Sequence, residues 1–386
     1  MARFVHTADW QLGMTRHFLD DDAQPRFSGA RIDVISSIGR LAGEHGCDFV
    51  VVGGDVFETN YVDLQVVIRA LDAMGSTPEV RFYLLPGNHD PLDAASVFDS
   101  PTFEEHAPPN VVVLRDSEPV RDPSGIEVVG APWRTKRPLE DLVGTVLASL
   151  PPDGAPRVVV GHGAVDTLSP DPEDPALVRV ADAEAAIAEG RASYVALGDR
   201  HSSTEVGESG RIMYSGAPEP TDYDEVDPGN VIVVELDEDR IGTQRHRVAT
   251  WSFERRHFEV TCREDCDEVV AFIDSLPDKQ RSIVKLSLVG QLSLEVHADL
   301  ERRLEDRAAL LGALEMWQRH SDLVTVPDDA DLGVLDLGGY ALAATEDLRA
   351  MAQDTDDPDT AACAGEALRL LYRLASSPAG TTGGPR

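Results

Sequence analysis

Lysine is nearly absent from this 386-residue chain. Lys136, Lys279 and Lys285 are the whole complement, and 34 basic residues face 69 acidic ones, for a net charge of −35. A protein that coats nucleic acid shows a basic footprint, so that class is excluded; an enzyme that reaches phosphate through bound cations and a local basic patch is not. Cysteine is scarce too. Four cysteines, of which Cys262 and Cys266 share a polar stretch with no second pair nearby, make neither a disulfide framework nor a zinc knuckle. They suit a reducing cytoplasm. Long apolar runs are also missing. Nothing approaches the roughly 20 residues of a membrane span, and no basic-then-apolar leader opens the sequence, so an unexported cytoplasmic protein without a membrane partner is expected. The length allows two domains and ample core.

From residue 3 to about 250, strand-like apolar runs alternate with helical patterns. Strands are expected at Arg3–Asp9, Cys47–Asp55, Val80–Asp90, Asn110–Asp116, Ile126–Pro132, Arg157–Gly163 and Ser193–His201. Helices are expected at Gly29–Gly46, where Ile32, Ile35, Ile38 and Leu41 recur near a 3.6-residue period, and at Val62–Gly75. Runs such as "FVVVGGD" suit strands buried on both faces. "GESGRIMYSG" and "NVIVVELDEDRIGTQRHRV" read as hairpins. An α/β layered fold with two packed sheets follows. After Trp251 the pattern becomes strand, helix, strand, a small α/β domain. Beyond Pro327 an acidic linker, "PDDADLG", leads to helices at Ala341–Met351 and Ala361–Ser376. The second carries a stripe of Ala367, Leu370, Leu371 and Leu374, expected to pack on its own protein.

Five apolar runs end in polar clusters: "HTADWQ" at Asp9, "VVVGGDVFE" at Asp55, "YLLPGNHD" at Asn88–Asp90, "VVVGHG" at His162 and "YVALGDRH" at Asp199–His201. Ligands of open α/β sheets bind beyond the carboxyl ends of strands, so five such tips can meet at one place. Any single aspartate after a strand is ordinarily a helix cap or turn residue. Five tips with metal-competent side chains in one domain are poorly explained that way. The set is rich in oxygen donors, which suits hard divalent ions such as Mn²⁺. Two ions need a shared carboxylate, and Asp55 is the candidate. Such a pair, roughly 3.5–4 Å apart, activates a water and steadies the oxygens of a phosphoryl transition state, which makes phosphoester hydrolysis the expected chemistry.

With these segments in this order, the sequence resembles the calcineurin-like metallophosphoesterases over about residues 1–250 and more loosely beyond. "HTADW" and "YVALG" are similar to the SbcD-type nuclease subunits of a DNA double-strand-break repair complex. The resemblance implies a four-layer αββα metallophosphoesterase sandwich over residues 1–250, a small α/β cap domain over 251–326 and a C-terminal helical segment over 327–377. A disordered tail is expected over 378–386. It further implies one metal ion held by Asp9, the Gln11 position, Asp55 and His201, and a second held by Asp55, Asn88, His162 and the Asp199 position. His89 would assist phosphoryl transfer, with Asp90 orienting its imidazole. Two positions depart from the pattern. The family has D-x-H in the first segment and G-H-x-H in the last; here stand Asp9-x-Gln11 and Gly198-Asp199-x-His201. Both replacements keep an oxygen donor, so an active site with altered ligands is expected, favouring Mn²⁺ or Mg²⁺ over zinc.

The function expected from the resemblance is a Mn²⁺-dependent DNA exonuclease and endonuclease acting on duplex ends or hairpins. It would dock an SbcC-type coiled-coil ATPase through its C-terminal helices and form a homodimer. No Walker motif is present, so ATP is handled elsewhere. Two other readings stand beside it. A stand-alone phosphodiesterase on nucleotides or small phosphodiesters fits the acidic charge, and a non-catalytic scaffold fits a metal site altered for assembly alone. Arg134, Lys136 and Arg137 are the local cations where DNA contact is expected, although an exposed loop is the ordinary explanation of each.

Overall fold

A computed structural model of the chain describes residues 2–237, 240–325, 340–352 and 357–376. The chain divides into two compact units, Met1–Phe253 and Glu254–Arg386.

The first unit holds two six-stranded sheets. Strands β1 (Ala2–Thr7), β2 (Phe49–Val52), β3 (Arg81–Leu84) and β4 (Val111–Val113) run parallel, linked by helices α1 (Ala23–Glu44), α2 (Leu64–Gly75) and the short α3 (Pro101–His106). The second sheet is built from β5 (Val120–Arg121), β6 (Glu127–Gly130), β7 (Arg157–His162), β8 (Tyr194–Gly198), β9 (Thr204–Val206) and β10 (Ile212–Tyr214), with helices α4 (Leu142–Ser149) and α5 (Val180–Ala188). A hairpin of β11 (Asn230–Leu236) and β12 (Ile241–Arg247) returns to the first sheet, where β11 pairs antiparallel with β1.

The residues of "FVVV" and "RFYL" explain the layering. Alternate side chains point to opposite faces. Val50, Val52, Phe82 and Leu84 meet Ile32, Ile35 and Ile38 of α1 and Val67 and Leu71 of α2. Their neighbours Phe49, Val51 and Tyr83 face inward onto Val158, Val160, Tyr194 and Ala196 of the other sheet. The far face of that sheet, Val159, Val195 and Leu197, is covered by Val143, Val146 and Ala183 of α4 and α5. The result is the four-layer αββα sandwich. Helix α1 starts six residues before the expected Gly29. Pro25 does not block it, because the first turn has no intrahelical hydrogen bond to lose at that N–H. The hairpin expected at 230–248 forms as β11–β12; the one expected at 207–216 forms as β9–β10 with its first strand upstream, at 204–206, so that Gly207–Gly210 is its turn.

From β13 (Ser252–Val260), whose first two residues close the first unit, β14 (Ser282–Leu292), β15 (Ala313–Met316) and β16 (Asp322–Thr325) continue a four-stranded sheet carrying α6 (Arg263–Ser275) and α7 (Leu294–Ala308). Helices Tyr340–Ala352 and Pro358–Ser376 belong to the second unit. Their packing corrects the expected stripe. Ala364 and Leu368 are buried, with Leu368 and Leu371 against Leu294 of α7, whereas Leu370 is exposed. The linker expected at 327–333 and the tail at 378–386 lie outside the described residues. No helix among the described residues is long and apolar enough to cross a membrane.

Candidate metal centre

Every strand tip singled out in the sequence lies at the carboxyl end of a parallel strand, β1, β2, β3, β7 or β8. The backbone there is unusual. Asp9, Gln11, Asp55 and Asp199 take φ values of 54°, 44°, 52° and 96°, four of the five non-glycine residues with positive φ among those described. Such conformations cost of order 1–3 kcal/mol each and persist only where the surroundings impose them. Here they do. Asp9 N–H donates to Gly54 O (3.1 Å), Gln11 N–H to Asp55 O (2.9 Å) and Leu12 N–H to Val56 O (2.9 Å), zipping the first two tips together. Asp199 N–H donates to both oxygens of Asp9 (3.0 and 3.2 Å), and His89 N–H to Asp55 Oδ1 (2.9 Å), which ties in two more.

His162 is the pivot. Its Nδ1–H donates to Gly53 O at 2.8 Å, leaving Nε2 as a lone pair. That atom lies 2.7 Å from Asn88 Oδ1, 3.4 Å from Asp55 Oδ2 and 3.8 Å from Asp199 Oδ1. Three oxygens converge on this one nitrogen, which in the neutral ring is a lone pair. Ligand atoms at neighbouring corners of an octahedral ion with bonds near 2.1 Å stand about 3 Å apart, so this spacing fits a hard divalent cation. One ligand atom each from Asp9, Asp55 and His162 falls within 4.8 Å of the other two. Trp133 holds the pivot, donating its Nε1–H to His162 O (2.8 Å) with its ring edge-on to the imidazole.

His201 faces the other side of the group. Its Nδ1–H is shared between Thr221 Oγ1 (2.7 Å) and Glu225 Oε1 (3.1 Å), so Nε2 again carries the lone pair. Gln11 Nε2 sits 3.3 Å from that atom, and Gln11 Oε1 is buried with no hydrogen-bond partner. A buried carbonyl oxygen without a donor asks for a cation or a water.

The ionisation of the group points the same way. Burial pushes Asp9 up to about 6 despite the nearby His201 and His162. Burial and the neighbouring Asp55 push Asp90 up to about 7. Burial opposes charge on His162, but Asp55, Asp199 and Asp9 outweigh it and raise the imidazole well above its ordinary value. Burial also opposes charge on Asp55, yet His162 holds that carboxyl below the usual range. Carboxyls that keep protons beside imidazoles that seek them mark a centre short of positive charge, which a metal ion supplies.

One expected role is corrected. Asp90 does not orient His89. Its carboxylate is used up by Gly87 N–H (2.7 Å) and Phe57 N–H (2.9 Å), clamping the 87–90 loop to the Asp55 loop. His89 Nδ1 instead lies 2.9 Å from Glu58 O. Sequence reasoning also missed Glu225, Thr221 and Trp133. Trp133 follows β6 as the ligands follow their strands but offers no metal-binding atom, and Thr221 and Glu225 lie in the loop before β11, so that only the fold brings the three to the imidazoles.

Comparison with known proteins adds a family. The family model described as "Calcineurin-like phosphoesterase" matches residues 2–203. The D subunit of nuclease SbcCD from Bacillus subtilis (strain 168) is 30% identical over 105 residues, covering 26% of this chain and 25% of that protein. The chain thus matches about a quarter of that relative's length. Among solved structures, TT1561 of Thermus thermophilus is 10% identical with a TM-score of 0.42, over 64% of this chain and 99% of that one. The purple acid phosphatase PPD1 from yellow lupin seeds is 12% identical with a TM-score of 0.35, over 64% and 51%.

Proposed function

Because the chain belongs to the calcineurin-like phosphoesterase family, we propose that it is a divalent-metal-dependent phosphodiesterase acting on DNA ends or hairpins. The observation that carries this reading is the convergence on His162 Nε2 of oxygens from Asn88, Asp55 and Asp199. Asp55, Asn88, His162 and Asp199 would hold one ion; Asp9, Gln11, Asp55 and His201 would hold the other. Mn²⁺ suits this donor set best, with Mg²⁺ next. When bound, the ions supply a nucleophilic water and neutralise charge on the phosphate.

The chain's own residues do the rest. His89, anchored through Nδ1 to Glu58 O and partly exposed, keeps Nε2 for the leaving oxygen, to which it would bring a proton. Asp90 keeps the 87–90 loop in register, so that Asn88 reaches His162 and His89 reaches Glu58 O. DNA as substrate, an SbcC-type coiled-coil ATPase as partner, docking through the C-terminal helices and homodimerisation are parts of the same proposal. The partial likeness to the B. subtilis nuclease subunit supports DNA as substrate and a partner subunit.

The test is hydrolysis of bis-p-nitrophenyl phosphate and of linear duplex DNA by the Mn²⁺-loaded chain, with and without a coiled-coil ATPase. His89→Ala is expected to lower kcat on both substrates by roughly 10²–10⁴-fold with metal content unchanged. A second reading, a phosphodiesterase of nucleotides or small diesters, is favoured by the net charge of −35. Turnover of the small ester with no attack on DNA, even with the ATPase added, would select it.

A further inference from the structure

Taking the phosphoesterase reading as its basis, we infer that the two cation positions are unequal. One ion is resident at Asp55, Asn88 and His162, beside Asp9 and Asp199. The position between Gln11 and His201 takes its ion only together with a phosphate oxyanion.

The resident position is built in advance. His162 cannot swing, because its Nδ1–H is held by Gly53 O, and its Nε2 already meets Asn88 Oδ1 and Asp55 Oδ2 at ligand spacing. The trio of Asp9, Asp55 and His162 is the single such group of histidine, cysteine or acidic side chains among the described residues, and His201 is not in it.

The other position is closed by the protein itself. Gln11 presents its amide Nε2 to His201 Nε2, so the imidazole lone pair already has a donor. For Gln11 to ligate, its amide must turn over. That turn gives up the hydrogen bond and moves the NH₂ group to the buried place where Oε1 now has no partner. Losing one such bond costs on the order of 1 kcal/mol, or about five- to tenfold in affinity, before the weaker donation of an amide than an imidazole is counted.

Charge acts in the same direction. Arg31 is buried, and its Nη1 donates to Glu219 O and Pro220 O, in the strap that carries Thr221 and Glu225 to His201. Arg16 Nη2 reaches Thr221 O in the same strap. Arg31 and Arg16 thus set two fixed guanidinium charges against the strap that holds His201, and these oppose a lone dication there. Three nitrogens of these guanidinium groups, Arg16 Nε and Arg31 Nε and Nη2, are buried without partners, as is Glu58 Oε2. A phosphate oxyanion reverses the balance. It would supply negative charge, and a dication could then enter beside fixed cations.

The test uses the full chain, stripped by chelation and titrated with Mn²⁺, read by bound-metal analysis and electron paramagnetic resonance. The wild type is expected to hold one ion with an uncoupled six-line spectrum, with any second ion bound at least tenfold more weakly. Inorganic phosphate should bring in the second ion and a spin-coupled signal. Gln11→His should hold two coupled ions without phosphate, and Gln11→Glu should do the same if the histidine variant fails to fold. Two equally tight, coupled ions on the phosphate-free wild type would overturn the inference, as would no bound ion or no effect of phosphate. Failure to hydrolyse bis-p-nitrophenyl phosphate with metal bound would instead remove the phosphoesterase reading and leave the stoichiometry to be judged separately.

Discussion

Glu225 shows how a residue outside the metal centre governs it. Its carboxylate accepts from Thr221 N–H, from the Thr221 hydroxyl and from His201 Nδ1–H, and so fixes which imidazole nitrogen carries the lone pair. Burial disfavours charge on His201, and the Glu225 hydrogen bond together with the charges of Asp9 and Glu225 outweighs it, raising the imidazole's proton affinity and its strength as a ligand. Glu225→Ala is expected to weaken Mn²⁺ binding on the His201 side by about 10–100-fold, while Glu225→Gln, which keeps an acceptor, loses less. Calorimetric titration in the presence of phosphate measures both. Equal affinity in all three proteins would show that Glu225 serves the strap alone.

At the scale of elements, the two sheets must approach closely for their strand tips to share a site. Gly198, at the end of β8, makes this possible. A Cβ there would lie 2.0 Å from Gly53 O and 2.8 Å from the Ala8 side chain. Gly198→Ala therefore forces β8 away from the β1 and β2 tips. It should cost about 1–3 kcal/mol by denaturant unfolding and weaken metal binding in step. The same sheet pair is bridged in its interior by His6 of β1, whose ring nitrogens meet Tyr194 Oη (3.1 Å) and Leu197 O (3.2 Å) of β8. Burial pushes this imidazole down to about 3, outweighing the Leu197 hydrogen bond, against an ordinary value of 6.5. The folded value is the depressed one, so the unfolded chain takes up the proton first. The neutral ring's contribution is complete above about pH 6.5 and is lost as pH falls from there towards 3, a change of roughly 4–5 kcal/mol. His6→Gln removes the titrating group, and its stability should fall less steeply than the wild type's over that window. Parallel curves from chemical denaturation would exclude His6 as a source of acid sensitivity.

At the scale of the whole molecule, the first unit contains all the candidate ligands and three hydrophobic cores of its own. Its final turn is anchored internally, with Thr250 N–H and hydroxyl and Trp251 N–H donating to the Glu219 carboxylate. A chain ending at Phe253 is therefore expected to fold and to bind Mn²⁺ as the full chain does. Retained metal and small-ester turnover with lost DNA degradation would assign DNA or partner contact to the second unit. Loss of metal would show that the first unit does not stand alone.

Much of this was legible in the amino-acid order. "FVVV", "RFYL" and "RVVVGH" declare strands buried on both faces because side chains alternate whatever lies around them, and two such faces require covering layers. The polar tips follow from the same logic, since a chain leaving a buried strand must place its polar groups at the strand's end. What sequence could not decide was the use of each polar atom. Asp90 follows His89 directly yet bonds to Gly87 and Phe57, and Glu225 stands 24 residues from the imidazole it orients. The unpartnered oxygen of Gln11 becomes visible only when His201 is placed beside its amide. Residue types set which donors and acceptors exist. Which pairs meet depends on where loops from separate strands land, and only packing of the two sheets settles that.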